Sequence, residues 1–349
     1  MRRNLKFVKL KNGYVFNGEK IYLQSMLNKP VKDYKANIEQ AKKLEKSGCE
    51  IIRVAVPSLE DVKLIELLKK NVNCPIVADV HFNHKIAIKA VKFGADKIRI
   101  NPGNISKKEH LKEIADVCKA SNVPIRIGIN SGSLEKEILE KHKKVCVDAL
   151  VESAVKNVEL FENEFNFSNI VVSIKSSNVS DVVFACRKFR SLKNFPLHIG
   201  VTEPGIKEKS IVKSSIAIGA LLLDKIGETL RVSITGNPLE EVKAGQLILK
   251  SLGLIKSGVE IISCPTCART KINIINIAKE AEKKLKNCKK NLKVAIMGCV
   301  VNGPGEAKFC DVGIAGGEGK AVLFKKGRIV SNVEEKNILK VLLEEIEKM

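Results

Sequence analysis

The stretch Lys97-Ile98-Arg99-Ile100-Asn101, the amphipathic run Lys107–Ala120 and then Pro124-Ile125-Arg126-Ile127-Gly128-Ile129 read together as one strand–helix–strand unit. β-branched residues crowd both short runs, and apolar residues recur at helical spacing between them. Working outward, the unit repeats. Strands are expected at Ile21–Leu27, Glu50–Val56, Pro75–His81, Lys97–Asn101, Pro124–Ile129, Asn169–Lys175, Pro196–Val201 and Thr229–Thr235. Helices are expected at Asp33–Lys46, Leu59–Lys70, Lys107–Ala120 and Lys207–Lys225, and Gly48, Gly94 and Gly227 mark helix ends. An open doubly wound sheet alternates in the same way but has fewer units. Eight units favour a closed (β/α)8 TIM barrel over residues 1–253. A hairpin turning at Asn12-Gly13 precedes it and is expected to cover the N-terminal end of the barrel.

Chemistry in such a barrel sits at the C-terminal ends of the strands. Those ends carry Arg53, Asp79 and His81, Arg99 and Asn101, Arg126 and Asn130, Lys175, His198 and Glu203, and Arg231 and Ser233. Asp79/His81, Arg99/Asn101 and Arg231/Ser233 are two apart, so both members of each pair point to one face of their strand. A lone strand-end arginine is more often a surface ion pair. Four or five cations converging on one concavity repel one another unless an anion of high charge lies among them, and Arg and Lys suit phosphate. No P-loop and no dinucleotide-binding glycine motif is present, which argues against a nucleotide. A phosphorylated or diphosphorylated small molecule is the expected ligand.

The remaining residues, 254–349, read as a small α/β domain. Its strand Val259–Ile262 leads into Cys264-Pro265-Thr266-Cys267, and its strand Lys293–Met297 leads into Gly298-Cys299-Val300-Val301-Asn302-Gly303-Pro304-Gly305-Glu306. Gly313–Gly319 is expected to turn a hairpin into Ala321–Phe324. A C-x-x-C pair and a distant third cysteine form a thiolate-rich site of the kind that selects zinc or an iron–sulfur cluster. Structural zinc needs a closed set of four ligands, and the second loop has no C-x-x-C pair. Glycine and proline there let backbone N–H groups approach cluster sulfides, which favours iron–sulfur. The fourth ligand stays open between Glu306 and Cys310 on these grounds. Cys49, Cys74, Cys118, Cys146 and Cys186 are scattered singly and read as small buried apolar residues.

Composition bounds the rest. The chain has 349 residues, 44% of them hydrophobic, with a formal charge of +22. Its lysines fall mainly on amphipathic helices, and aromatics are only 4%, which speaks against a stacking platform for single-stranded nucleic acid. No apolar run is long enough for a transmembrane helix, and the basic N-terminus lacks the apolar core of a secretory signal. A cytoplasmic protein with no nucleic-acid or membrane partner is expected. The competing reading is a zinc-stapled basic nucleic-acid-binding protein, and a second is a reductase for another phosphorylated ligand.

The motifs Gln24-Ser25-Met26, Ile52–Pro57, Ala78–Phe82, Ile98–Gly103, Ile125–Leu134, His198–Glu203 and both cysteine loops resemble the 4-hydroxy-3-methylbut-2-enyl diphosphate synthase family of the methylerythritol phosphate route, in its short bacterial two-domain form. Ala268 stands where that family usually has glycine, and Leu27 and Lys29–Val31 replace a threonine-rich stretch. The resemblance implies a [4Fe–4S] cluster on Cys264, Cys267 and Cys299 with Glu306 on the fourth iron, and it resolves the fourth ligand in favour of the carboxylate. It also implies a cyclic diphosphate substrate, 2-C-methyl-D-erythritol 2,4-cyclodiphosphate, held by Arg53, Arg99, Arg126 and Lys175 and oriented by Asn101, Asn130, Arg231 and Ser233. Glu203 is then the expected proton donor, supported by Asp79 and His81. Reduced flavodoxin or ferredoxin and a head-to-tail homodimer complete the expectation.

Overall fold

The computed structural model describes residues 5–105, 107–256, 258–286, 288–301, 305 and 309–349. It divides into two compact units, Met1–Leu254 and Ile255–Met349. In the first, a two-stranded hairpin, β1 (Val8–Lys9) and β2 (Val15–Phe16), precedes eight parallel strands. These are β3 (Tyr22–Met26), β4 (Ile51–Ala55), β5 (Ile76–Asp79), β6 (Lys97–Ile100), β7 (Ile125–Asn130), β8 (Ile170–Lys175), β9 (His198–Ile199) and β10 (Thr229–Leu230). Their order is β8-β7-β6-β5-β4-β3-β10-β9, and a parallel bridge between Val172 and Leu197 joins the two ends into a barrel. The strands are buried because both faces are covered, the outer by helices and the inner by one another.

The helices begin and end where local chemistry dictates. Helix α1 (Tyr34–Lys46) starts at Asp33, whose side chain accepts the Ala36 N–H at 3.0 Å. It stops at Gly48 (φ +90°), where Cys49 N–H returns to Leu44 O at 3.0 Å. Helix α2 (Lys63–Asn71), α3 (His84–Lys92) and α4 (Lys108–Ala120) follow their strands in the expected alternation. A short helix α5 (Lys136–His142) after β7 was not foreseen and precedes α6 (Val147–Glu159). Helices α7 (Val179–Leu192), α8 (Lys207–Leu223) and α9 (Pro238–Ser251) complete the ring, α9 opening with proline after the Asn237 cap.

The hairpin packs where expected. Val8, Leu10 and Phe16 form one buried cluster with Tyr22, Ile51, Val77 and Val171, which lie at or near the N-terminal ends of their strands. Above Phe16 lies the wholly buried Lys97, its ammonium 4.6 Å from the ring centroid.

The last strand is shorter than its sequence suggested. Only Thr229 and Leu230 pair with neighbours on both sides, not the run to Thr235. Beyond Leu230 the chain is held by single contacts. Arg231 N–H reaches Ile199 O at 3.1 Å, and Ile234 N–H reaches the Glu241 carboxylate at 3.1 Å. Side-chain acceptors here replace a ladder partner, which strand propensity alone does not reveal.

The second unit is a five-stranded sheet in the order β11-β12-β13-β14-β15. Strands β11 (Val259–Ser263), β12 (Leu292–Met297) and β13 (Val312–Gly316) are parallel, and β14 (Lys320–Lys325) and β15 (Arg328–Glu334) are antiparallel additions. Helix α10 (Ile274–Leu285) and a final helix, Ile338–Glu347, share one buried cluster with Val294, Ile296, Val312 and Ile314. The expected hairpin is the β13–β14 connection, with Gly319 at φ +64°.

A cationic barrel mouth and two cysteine loops as candidate functional sites

The C-terminal end of the barrel opens on a cavity of about 270 Å³ lined by Arg53, Arg99, Arg126, Asn130, Ser173, Lys175, Thr202, Glu203, Arg231 and Ser233. Period-two alternation delivers these groups inward: Arg126, Gly128 and Asn130 from β7, and Ser173 and Lys175 from β8. Gly128 leaves the room that a Cβ would take, since one there would lie 2.7 Å from Arg99 Nε.

Two buried carboxylates organise the cations. Asp79 accepts from Arg53 Nη2 at 2.6 Å and from Arg99 Nη1 at 3.1 Å. His81 Nε2 lies 2.9 Å from the same Arg99 Nη1 and 3.4 Å from Asp79 Oδ2. Burial pushes the Asp79 carboxyl up, but Arg53, the His81 hydrogen bond and Arg99 together hold it well below the usual carboxylate range. Glu241, from the first turn of α9, accepts Arg231 Nε at 3.0 Å and Nη2 at 2.8 Å.

Arg126 and Lys175 lack such a partner: among the described residues no carboxylate pairs with either. Arg126 Nη1 donates to the neutral Gln24 Oε1 at 3.2 Å. Burial first, then Arg126, Arg231, Arg53 and Arg99, pulls the Lys175 ammonium well below its ordinary value. Burial also lowers Arg53 to about 10 against the pull of Asp79. Five basic side chains gathered at one cavity, two of them without a carboxylate partner among the described residues, create a field that favours an anion.

The expected residues divide into three groups. Arg53, Arg99, Arg126, Asn130, Lys175, Glu203, Arg231 and Ser233 line the cavity. Glu203 does so from an exposed, left-handed position (φ +47°). Asp79, His81 and Asn101 stand behind it. Asn101 is buried, bonds Ser133 Oγ and accepts the Gly103 N–H at 3.0 Å. His198 does not reach the mouth. It is wholly buried with Nδ1 2.8 Å from Thr229 Oγ1, because alternation from Gly200 places it one layer deeper. Sequence reasoning gave no role to Ser173, Thr202, Gln24 or Glu241; Gln24 and Thr202 stand inside the motifs quoted above, and Ser173, two before Lys175, carried a periodic signal.

In the second unit, Cys264 and Cys299 leave neighbouring parallel strands at the same edge, since Ser263 is in register with Ile296. Gly298 N–H donates to Cys264 Sγ at 3.2 Å. Lys271 N–H donates to Gly298 O at 2.9 Å, a second bond between the two loops, and within the first loop Cys267 N–H donates to Thr270 Oγ1 at 3.2 Å. A Cβ on Gly298 would lie 3.0 Å from Thr270 Cγ2. Among the described residues, no three His, Cys, Asp or Glu side chains are gathered closely enough to hold a metal ion. Thiolates repel one another without a cation, so such a site is completed by the metal itself. The soft donor set and the N–H-to-sulfur bond fit an iron–sulfur cluster. Glu306, the expected fourth ligand, lies outside the described residues.

The fold and the mouth define a TIM-barrel protein with a cationic cavity at the C-terminal ends of its strands, continued in sequence by a cysteine-bearing α/β domain. The chain belongs to the GcpE family: the GcpE TIM-barrel domain matches residues 6–246, and the GcpE protein C-terminal domain matches residues 260–348. It is 52% identical over 342 residues to a Clostridium acetobutylicum protein, covering 98% of each chain. It is 52% identical to a Fusobacterium nucleatum protein, covering 100% of this chain and 97% of that one. Both are named 4-hydroxy-3-methylbut-2-en-1-yl diphosphate synthase (flavodoxin), and the chain is an enzyme. Among solved structures, dihydropteroate synthases from Stenotrophomonas maltophilia (TM-score 0.52) and Vibrio fischeri (TM-score 0.51) each cover 71% of this chain and 99% of their own. At 15% identity that likeness concerns the fold alone. Among the described residues no helix is long and apolar enough to cross a membrane.

Proposed function

We propose that the chain catalyses the reaction its relatives are named for: reductive ring opening and dehydroxylation of 2-C-methyl-D-erythritol 2,4-cyclodiphosphate to 4-hydroxy-3-methylbut-2-enyl diphosphate. The observation that carries this reading is the enclosed mouth with Arg53, Arg99, Arg126, Lys175 and Arg231. In it, residues 1–253 bind substrate and 254–349 carry a [4Fe–4S] cluster on Cys264, Cys267, Cys299 and Glu306. When bound, the cluster would relay two electrons, one at a time, from the external donor and would supply a Lewis-acidic iron.

The remaining work falls to side chains. Cleaving the ring C–O bond leaves one new anionic oxygen on the diphosphate. The product therefore carries one more negative charge than the substrate. Cations fixed around that group bind the ring-opening transition state more strongly than the ground state, which is what raises turnover. Arg53, Arg99, Arg126 and Lys175 hold the diphosphate, and Asn130, Arg231 and Ser233 orient it. Asp79 and His81 fix Arg53 and Arg99, and Asn101 acts from behind through Ser133. Glu203, at the exposed rim, donates the proton that converts the departing hydroxyl to water.

Reduced flavodoxin is the proposed donor, in keeping with the relatives' name. A head-to-tail homodimer and a cytoplasmic location belong to the same reading. Anaerobic purification with iron and sulfide assay, then turnover of the cyclodiphosphate with reduced flavodoxin, tests it. Brown protein that bleaches in air and converts the substrate supports the proposal. A colourless protein with one zinc per chain and no turnover overturns it.

A further inference from the structure

We propose that Glu241 is a positioning residue of the anion mouth: it fixes Arg231 so that only one end of the guanidinium faces the cavity, and it withholds one positive charge from that cavity. The proposal rests on reading the mouth as a diphosphate site.

The Glu241 carboxylate is buried and fully used. Oε2 accepts Arg231 Nε at 3.0 Å and Ser25 Oγ at 2.8 Å, while Oε1 accepts Arg231 Nη2 at 2.8 Å and Ile234 N–H at 3.1 Å. Four donors from β3, the loop after β10 and the arginine itself leave it no alternative orientation. Its place in the first turn of α9 sets it at the positive end of that helix.

The consequence lies in which edge of Arg231 is consumed. The Nε/Nη2 edge, one of the two that could grip a phosphate bidentately, belongs to Glu241. The Nη1/Nη2 end remains, with one Nη1 N–H donated to Met26 Sδ at 3.4 Å and one N–H left on each terminal nitrogen, so Arg231 meets an anion end-on. Arg53 and Arg99 share a different acid, Asp79, through single Nη contacts. Within one cavity the guanidiniums therefore have assigned directions. A carboxylate beside an anion site weakens anion affinity by Coulomb repulsion. Glu241 thus exchanges affinity for geometry, and that exchange gives its removal an unusual signature.

The full-length protein tests this with two readouts. Calorimetry on cluster-free protein measures binding of inorganic pyrophosphate and of the cyclodiphosphate. Turnover is measured on cluster-loaded protein. Glu241→Gln is expected to bind pyrophosphate as tightly as the parent, or about threefold more tightly, while kcat falls at least about thirtyfold. Glu241→Asp keeps the charge at shorter reach and is expected to restore kcat to within about tenfold of the parent. Affinity falling in step with kcat, or both staying unchanged, overturns the proposal. Should Glu241→Gln fail to fold, Ser25→Ala removes one of the four bonds: unchanged affinity with kcat lowered about threefold supports the role, and unchanged kcat overturns it. A parent protein that binds neither anion overturns the diphosphate reading itself, an outcome distinct from any behaviour of the variants.

Discussion

Lys175 lines the cavity and Asp79 stands behind it, and the two are under opposite constraints. Asp79 keeps its charge because Arg53 and Arg99 surround it, whereas Lys175 is pressed to lose its proton by burial and by four guanidiniums. The sign of the pH effect follows. A lysine whose folded value is depressed leaves the unfolded chain binding more protons, so stability rises with pH between the depressed value and the ordinary lysine range. Chemical denaturation between pH 7 and 9 is expected to show that rise. Lys97, buried and depressed in the same direction, contributes too, so Lys175→Met should reduce the rise, and saturating pyrophosphate should reduce it in the parent by favouring the Lys175 ammonium. Glu203→Gln is expected to keep substrate affinity within about threefold while turnover falls about a hundredfold, measured by calorimetry and by anaerobic assay. The cations of the mouth were legible in the sequence because strand alternation sends residues two apart to one face. Glu241 was not, since a glutamate in the first turn of a helix reads as ordinary favourable placement against the helix dipole, and its partner Arg231 lies ten residues away without periodic relation.

At the scale of elements, the eight-unit alternation fixed the barrel, and its weak point was the last strand. Beyond the last ladder bond, Arg231 N–H to Ile199 O, the Glu241 carboxylate takes the Ile234 N–H that a longer ladder would have used. No propensity reports a side-chain acceptor arriving from the next helix. Gly200 shows how tightly this corner is set. At φ +149° it lies so near the Arg231 carbonyl that a Cβ would stand 2.4 Å from it. Gly200→Ala is therefore expected to displace Arg231, lowering thermal stability and reducing kcat/KM more than tenfold, by about the 10²-fold typical of a 1 Å misplacement. The hairpin offers a test away from the chemistry. Phe16 is wholly buried over Lys97, and Phe16→Ala should destabilise the fold by about 3–5 kcal/mol in denaturant titration.

For the whole molecule, two compact units meet in sequence at Leu254 and Ile255. A chain ending at residue 254 is expected to unfold in one cooperative transition, to bind pyrophosphate like the full protein, and to turn nothing over. The +22 charge leads to a further expectation under the flavodoxin proposal. Electron delivery from an acidic donor should slow as ionic strength rises, in stopped-flow oxidation of the donor, while kcat/KM for a neutral artificial reductant should not.

The hairpin across the base of the barrel has a kinetic consequence. With Val8, Leu10 and Phe16 packed at one end and buried side chains such as Lys97 and His198 filling the barrel between, no ligand passes through the barrel to the cavity at the other end. The incoming ligand and the outgoing one both enter and leave on the side of the strands' C-terminal ends, and both carry a diphosphate for the same cations. Each turnover then has to finish with departure before the next arrival. Added 4-hydroxy-3-methylbut-2-enyl diphosphate is expected to compete strictly with the cyclodiphosphate, a pattern that initial-rate measurements at several concentrations of each would reveal.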